Sequence, residues 1–472
     1  MRFHRFSSAG TLAVVCLATA MLMLDIAVVN TALPKIAANL HSNLTGIQWI
    51  IDAYTLALAT VVLTAGSIAD RIGRRLIFTA GIELFTATSL ACALASNIAL
   101  LDAARALQGI GAAMMFASSL AILVDAFPTD PGRAKAFAAY GATMGASFAV
   151  GPLVGGALTS GISWRAVFYV NVPLGIAALF ASYAWLRESR DPWPRAIDRI
   201  GQATLTGGLF LLVFALLRGN QEGWGSPRIV AELVGAAGLL ALFVVTETRV
   251  QQPMLPLRLF RRPDFGGAQI AAFAISASFF ALFLYTTLYL QEVLGLSPIE
   301  AGLVYLPGTI LMFAVSAATA QLTRRIRPGL LVVAGLALVA GGLALMTLAG
   351  AHSSWTALLP GELVVCVGTG LLNPALAAVA MGSISERQSG LAAGVNDAFR
   401  QGGIAVGVAA FGALVPTAAA LGHGSPEAYV AGMHTALLVG AALAVAGALA
   451  SAVLLTGLRN EAATGELVPD VA

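Results

Sequence analysis

Fourteen apolar runs, each close to the length of a bilayer crossing, constrain this 472-residue chain more than any single motif in it. A membrane helix needs about 20 mostly apolar residues. That rule predicts spans at 9–33, 47–69, 76–95, 98–123, 136–160, 165–186, 201–218, 229–247, 266–291, 299–322, 329–350, 355–382, 390–420 and 432–457. A barrel strand needs only about 9–11 residues of alternating polarity, so the runs read as helices. Composition agrees: the chain is 58% hydrophobic and 10% charged, with a mean hydropathy of +0.86. A soluble domain carries about 25% charged residues. The expected fold class is therefore an all-α, multi-pass membrane protein. Its first run follows Arg2 and Arg5 as a signal peptide would, but continues to Leu33. A cleaved core has roughly 7–15 residues, so a retained span is expected.

The basic residues orient these spans. With the N-terminus inside, 20 of the 26 lysines and arginines fall on the cytoplasmic side. Lys35, Arg165, Arg218 and Arg228 fall outside, and Arg105 and Arg400 lie within spans. Both termini are thus expected in the cytoplasm. The basic turn "GSIADRIGRRLIF" after span 2 is echoed by "AQLTRRIRPGLLV" after span 10, at the same place in a six-helix unit. The expected organisation is a six-helix bundle over 1–199, two inserted spans and a basic linker over 200–262, a second six-helix bundle over 263–459, and a cytoplasmic tail at 460–472. Paired halves with a site between them are a common transporter plan.

The net charge of +3 does not suggest nucleic acid. Cys16, Cys92 and Cys366 lie in apolar runs and form no CxxC, so no disulfide framework is expected. The five histidines are scattered and suggest no metal. No GxxxxGK[ST] loop points to an ATP-driven pump.

Charges inside the membrane are the candidates for function, because each costs about 2.5–3.5 kcal/mol at the bilayer centre on insertion scales. At about 1.5 Å per residue, Asp25 in span 1, Asp52 in span 2 and Arg105 in span 4 reach similar depths in the outer half. Two carboxylates beside one guanidinium can form a proton-titrating site, since each shifts the other's ionisation. A static pair that braces helices is the alternative. Asp102 shares the Arg105 face but lies nearer the surface. Asp397 and Arg400 repeat the i,i+3 spacing in span 13, where self-neutralisation is the plainer reading. Glu83 and Glu362 stand alone, each facing a cavity or an interface.

Glycines carry the mechanics. "GASFAVGPLVGG" sets Pro152 in span 5 among Gly151, Gly155 and Gly156. Proline bends a helix and glycines admit a close neighbour. "GSIADRIGRR" places Gly66, Asp70, Arg71, Gly73 and Arg74 at the cytoplasmic end of span 2. Asp70 is the unexpected carboxylate in a basic turn, suited to locking helix ends. In "WRAVFYVNVPLG", Trp164 and Arg165 sit at the outer interface, while Asn171 lies deeper with an unnamed partner.

These stretches resemble the major facilitator superfamily, in its fourteen-helix drug:proton antiporter branch. "LDIAVVNTALP" resembles the branch's helix 1 signature, "GSIADRIGRR" the cytoplasmic gating motif and "RALQGIGAA" the helix 4 motif with its buried arginine. "GPLVGG" is similar to the antiporter motif core, with Ser147 where a glycine is usual, and "WRAVFYVNVPLG" and "YLQEVLGLSPIEAGLVYLP" to branch signatures of helices 6 and 9–10. The resemblance implies two six-helix bundles plus two inserted helices, rocking about a central cavity. It implies proton-coupled export of lipophilic, cationic organic compounds from a monomer in the cytoplasmic membrane, with no cofactor. Asp25, Asp52 and Arg105 are then the coupling candidates, with Asp397, Arg400 and Glu362 a possible second-half set. Gly66, Asp70, Arg71, Gly73 and Arg74 form the gate; Gly151, Pro152, Gly155 and Gly156 bend helix 5. Export of one natural product or lipid, or uptake of a metabolite, are alternatives on the same fold. A membrane-embedded enzyme fits poorly, because the loops are short and hold no histidine–carboxylate cluster.

Overall fold

The computed structural model describes residues 7–128, 130–191, 197–323, 325–382, 389–422 and 424–456. Arg2, Arg5, Arg195, Arg324, Arg387, Arg459 and the 460–472 tail lie outside them. The chain runs through fourteen long helices: α1 Ser8–Leu40, α2 Leu44–Ile72, α3 Arg74–Leu94, α4 Ile98–Ala126, α5 Asp130–Gly161, α6 Ala166–Trp185 and α7 Arg199–Glu222. The rest are α8 Pro227–Arg249, α9 Pro263–Val293, α10 Pro298–Leu322, α11 Pro328–Met346, α12 Leu359–Gly382, α13 Ser389–Gly412 and α14 Pro426–Leu455. Thirteen are long and apolar enough to cross a membrane by themselves, and α13, which carries Asp397 and Arg400, packs among them.

Polar side chains start the helices. Asn43, Asn97, Asp198, Ser226, Ser297 and Ser425 each accept a hydrogen bond from a first-turn N–H. Inside a membrane-facing chain those donors have few other partners. Among the ends that depart from the sequence expectation, three lie beside a proline or a short turn. α1 continues through Pro34 to Leu40, since a proline near the end of a packed helix removes one bond without stopping it. Span 13 stops at Gly412 rather than 420; Pro416 cannot continue the ladder and caps a separate short turn, Thr417–Ala420. Span 12 begins at Leu359 rather than 355, behind a single 3-10 turn at Trp355–Ala357.

In the first bundle α1 packs on α5 and α6, and α4 lies between α2 and α3. In the second, α12 lies between α10 and α11, and α14 packs on α9 and α11. Two seams join the bundles, α5 on α10 and α2 on α13. The inserted helices α7 and α8 pack on each other, and α7 alone covers the α2–α13 seam. It is tied there by Gln221 to Thr45 at 2.9 Å, by Gln202 with Thr64, and by Asn220 with the Ala413 carbonyl.

Glycines set the closeness of the α5 seams. A Cβ on Gly151 would lie 2.2 Å from the Ala27 Cβ, and one on Gly155 2.6 Å from the Val28 carbonyl oxygen, so both admit α1. A Cβ on Gly156 would meet the Pro298 oxygen of α10 at 2.4 Å, and one on Gly302 the Pro152 oxygen at 2.5 Å. A single motif in α5 thus seats it against its own bundle and against the other.

The hydrogen bonds bridging the bundles lie toward the end where α1 finishes and α2 starts. Gln48 Nε2 donates to Tyr285 Oη at 2.7 Å and to the Val408 oxygen at 3.1 Å. Gln291 Nε2 donates to the Thr31 oxygen at 2.9 Å, and Ile299 N to Ser160 Oγ at 3.2 Å. Toward the opposite, arginine-rich end the seams loosen. Among the described residues, nothing lies within 4 Å of the side-chain position of Gly141 in α5 or Gly390 in α13, and Phe313 in α10 is 40% exposed.

Replacing Gly156 with alanine should lower the melting temperature of the detergent-purified protein. The added methyl overpacks the α5–α10 seam, a change that costs typically about 1–3 kcal/mol. The same substitution at Gly141, where space is open, should leave it unchanged, and equal melting of the two variants would show that the seam can yield.

Candidate functional site: a buried ion-pair network

Asp25 is fully buried in α1 and is held by three donors from two other helices. Arg105 Nη1 of α4 lies 2.6 Å from Oδ2, Asn171 Nδ2 of α6 2.8 Å from Oδ1, and Gln108 Nε2 of α4 3.1 Å from Oδ1. Arg105 and Gln108, three apart, share a helix face, and Arg105 Nη1 also donates to Gln108 Oε1 at 2.7 Å. Gln108 Nε2 reaches Ser89 Oγ of α3 at 2.7 Å. Arg105 Nε donates to the Ile50 carbonyl of α2 at 3.0 Å, and its guanidinium lies 4.3 Å from the Tyr54 ring centre. Five helices of one bundle therefore meet at one ion pair. Asn171 finds its partner here, which explains an amide in an apolar helix: it satisfies a buried carboxylate. Trp164 and Arg165 of the same stretch both bond Asn39, at 3.0 and 3.2 Å.

Asp52 does not join this network. It is fully buried, and neither of its oxygens has a partner. The depth estimate placed it correctly along α2 but said nothing of its direction. Ile50, whose carbonyl does reach Arg105, is two residues earlier, and two residues turn about 200° around a helix. The three-residue cluster expected from the sequence is thus Asp25 and Arg105 with Gln108 and Asn171. Gln108 was legible as a polar residue three positions from Arg105; the roles of Asn171 and Ser89 needed the packing.

In α13, Asp397 and Arg400 do not neutralise each other directly. Asp397 accepts from Gln401 at 3.4 Å and leaves Oδ2 without a partner. Arg400 turns to Asn373 Oδ1 of α12 at 3.3 Å and to the Phe280 ring, 5.6 Å from its centre. Glu362 is 4% exposed and lines a cavity with Phe280, Phe283, Tyr305 and Cys366. Glu83 accepts from Tyr183 Oη at 2.9 Å. Among the described residues, no three His, Cys, Asp or Glu side chains converge as metal ligands would.

At the basic end, Asp70 Oδ1 pairs with Arg74, 2.9 Å from Nε and 2.8 Å from Nη2. The chain after α6 closes on this turn: Arg74 N donates to the Ser189 oxygen and Asp191 N to the Asp70 oxygen, each at 2.9 Å. Glu188 caps α3 by accepting from the N–H groups of Arg75 and Leu76, each at 3.1 Å. Gly73 is needed there. Its φ is 141°, and a Cβ would lie 2.6 Å from the Glu188 carboxylate. Gly66 is less constrained, with its nearest neighbour, Ala117 Cβ, at 3.8 Å. Arg71 is exposed. Glu188 was not singled out in the sequence, because an acid in a cytoplasmic loop carries no spacing signal for a cap.

Removing one partner of a buried pair costs about 3–5 kcal/mol, because the other charge is left uncompensated. Arg105→Ala should therefore lower the folded yield severely, while Asn171→Ala should cost less, about 1–3 kcal/mol for one lost bond to a buried group. Melting curves of the two purified variants rank them; an Asn171→Ala loss equal to that of Arg105→Ala would show that the amide, not the arginine, carries the site.

The Major Facilitator Superfamily profile matches residues 15–408. Puromycin resistance protein pur8 of Streptomyces alboniger is 37% identical over 464 residues, spanning 96% of this chain and 92% of that protein. Multidrug resistance protein Stp of Mycobacterium tuberculosis (strain CDC 1551 / Oshkosh) is 34% identical over 395 residues, spanning 84% and 73%. The crystal structure of the human organic anion transporter MFSD10 (TETRAN) superposes with a TM-score of 0.63 at 16% identity, over 94% of this chain and 99% of that one, a likeness of fold. With its two seamed helical bundles, its motifs and its relatives in agreement, the chain belongs to the Major Facilitator Superfamily.

Proposed function

We propose that this multi-pass membrane protein exports lipophilic organic compounds, driven by inward-moving protons and without a cofactor. The observation that carries the proposal is the Asp25–Arg105 pair, two charges buried in the core of a bundle that must move. The names of its relatives, puromycin resistance and multidrug resistance, support export. The excess of arginines at the basic end supports a cytoplasmic location for that end and for both termini; in this scheme the protein works as a monomer in the inner membrane. The protein acts as a transporter rather than an enzyme.

Asp25 is the coupling carboxylate in this scheme. While ionised it holds Arg105, and through it α2 and α4, to α1. A proton on the carboxylate removes the charge that makes those bonds strong. Arg105 is then released, and α1 is free to shift against its neighbours. Asp52, with no donor of its own, takes an accessory proton or tunes the cation range. Asp70 with Arg74, backed by Glu188 and the 189–191 backbone, steadies the inner turn where the gate motif lies. Gly151, Pro152, Gly155 and Gly156 let α5 pivot between the bundles. Export of a single natural product is the second version, favoured because Asp25 is saturated by its own bundle and does not require a cationic cargo.

Proton release on addition of substrate to the purified protein, followed across pH, tests the coupling. Asp25→Asn should abolish it and also abolish proton-driven efflux in vesicles, while Asp52→Asn should shift the pH optimum. Wild-type release from Asp25→Asn would move the coupling site elsewhere, with Asp397 the next candidate. Asp70→Asn should slow transport without reducing the amount of folded protein in the membrane; full-speed transport by that variant would remove the gate from the scheme.

A further inference from the structure

Two buried acids meet where the inserted helices join the linker to the second bundle. Asp198 caps the start of α7 and Glu247 lies in the last turn of α8, 8% and 3% exposed. One oxygen of each has a structural task. Asp198 Oδ1 accepts from Gly201 N at 2.7 Å, and Glu247 Oε2 accepts from Leu255 N at 3.0 Å. The other two, Asp198 Oδ2 and Glu247 Oε1, are buried with no donor among the described residues, and each lies 2.6 Å from the side-chain position of Gly201. That glycine leaves the space in which the two carboxyl groups come within hydrogen-bond reach of each other. Two acceptors bond only through a hydrogen, and two carboxylates sharing one site do not both stay ionised. The surrounding charges offer no other solution. Arg199 of α7, Arg249 of α8, Arg258 and Arg261 of the following 3-10 turn and Asp264 of α9 are exposed or half-buried, and none bonds either oxygen. At the end of α2, Asp70 is taken by Arg74 and Arg71 is exposed. Through Leu255 the pair grips the linker. Met254, Leu255 and Leu259 are buried, and Phe260 meets Phe265 of α9 and Phe399 of α13, with ring centres 5.3 and 5.8 Å apart. The linker is thereby docked against the second bundle, with Arg249, Arg258 and Arg261 outward.

We propose that Asp198 and Glu247 bind one proton between them, and that this shared proton fastens the linker to the inserted helices at the basic end of the molecule. With the proton in place, Oδ2 and Oε1 bond to each other and Glu247 keeps its grip on Leu255 N. When the proton leaves to water, two carboxylates face each other in a dry space. Glu247 then turns away, Leu255 N loses its acceptor and the linker lifts. The closed arrangement binds a proton that the open one does not, so it is favoured at low pH and lost as pH rises. The site is separate from the Asp25 network and holds whether or not the protein exports anything.

The outward arginines make the linker a substrate for trypsin. Limited digestion of the detergent-purified full-length protein is followed across pH by mass spectrometry. Cleavage after Arg249, Arg258 and Arg261 is divided by cleavage after Arg187 in the same digest, which cancels the protease's own pH profile. In the wild type this ratio should rise about ten-fold per pH unit through the titration of the pair, the slope of one released proton. Asp198→Asn keeps the cap on Gly201 and offers an amide donor to Glu247 in place of the proton. Its ratio should stay low at every pH, and Glu247→Gln should behave alike. Glu247→Ala, which removes the acceptor of Leu255 N, should give a high ratio at every pH. Should the alanine variant fail to fold, the two amide variants carry the test. A flat wild-type ratio, a wild-type slope in Asp198→Asn, or amide variants cut as readily as Glu247→Ala would each overturn the shared proton. So would a ratio that changes when choline replaces sodium and potassium in the buffer, since a metal ion would then occupy the site.

Discussion

The contact between Asp25 and Arg105 is the constraint on which the first bundle depends. Neither charge is tolerable alone in a dry interior, so each must be held wherever the other is. Around the pair, α2 gives a backbone carbonyl, α3 a serine, α4 a glutamine and α6 an asparagine. These hydrogen bonds add fixed lengths and directions to the apolar packing of the five helices, which in lipid has little directional force. The network's charge and its geometry thus have one source, the Asp25–Arg105 pair.

The seams between bundles obey a different rule. Where α5 crosses α1 and α10, the contacts are backbone against absent side chains, at Gly151, Gly155, Gly156 and Gly302. Such surfaces can close tightly and separate again without breaking ion pairs. The directional bonds between bundles, from Gln48, Gln291 and Ile299, gather near one end. Directional bonds thus prevail within the first bundle and close glycine packing along the α5–α10 seam. Glu362 lines a cavity walled by both sides of the α5–α10 seam.

Much of this was legible in the chain. Apolar runs marked the helices, because hydrocarbon leaves a backbone little choice but to bond to itself. Rare charges marked Asp25, Arg105, Asp397 and Glu362, because each is costly there. Glycines around Pro152 marked α5. The misses were equally physical. Helix ends moved at Pro34 and Pro416, where the packing of neighbouring helices decides whether a proline stops a helix. Asp52 was grouped with Asp25 because rise per residue gives depth and not direction. Asp397 and Arg400 were paired because their spacing allows it, yet Arg400 finds Asn373 and Phe280 instead.

The sequence by itself determined the class of fold, the number of long helices and the short set of residues too polar for where they lie. Those follow from transfer free energies, which depend on composition and local order alone. Only the tertiary structure decided which polar residue meets which. It joined Asn171, the amide in "WRAVFYVNVPLG", to Asp25 across 146 positions, left Asp52 without a partner and set Glu362 among aromatic rings. Partnership depends on the rotation and tilt of whole helices, and these are set by the sum of contacts over distant parts of the chain.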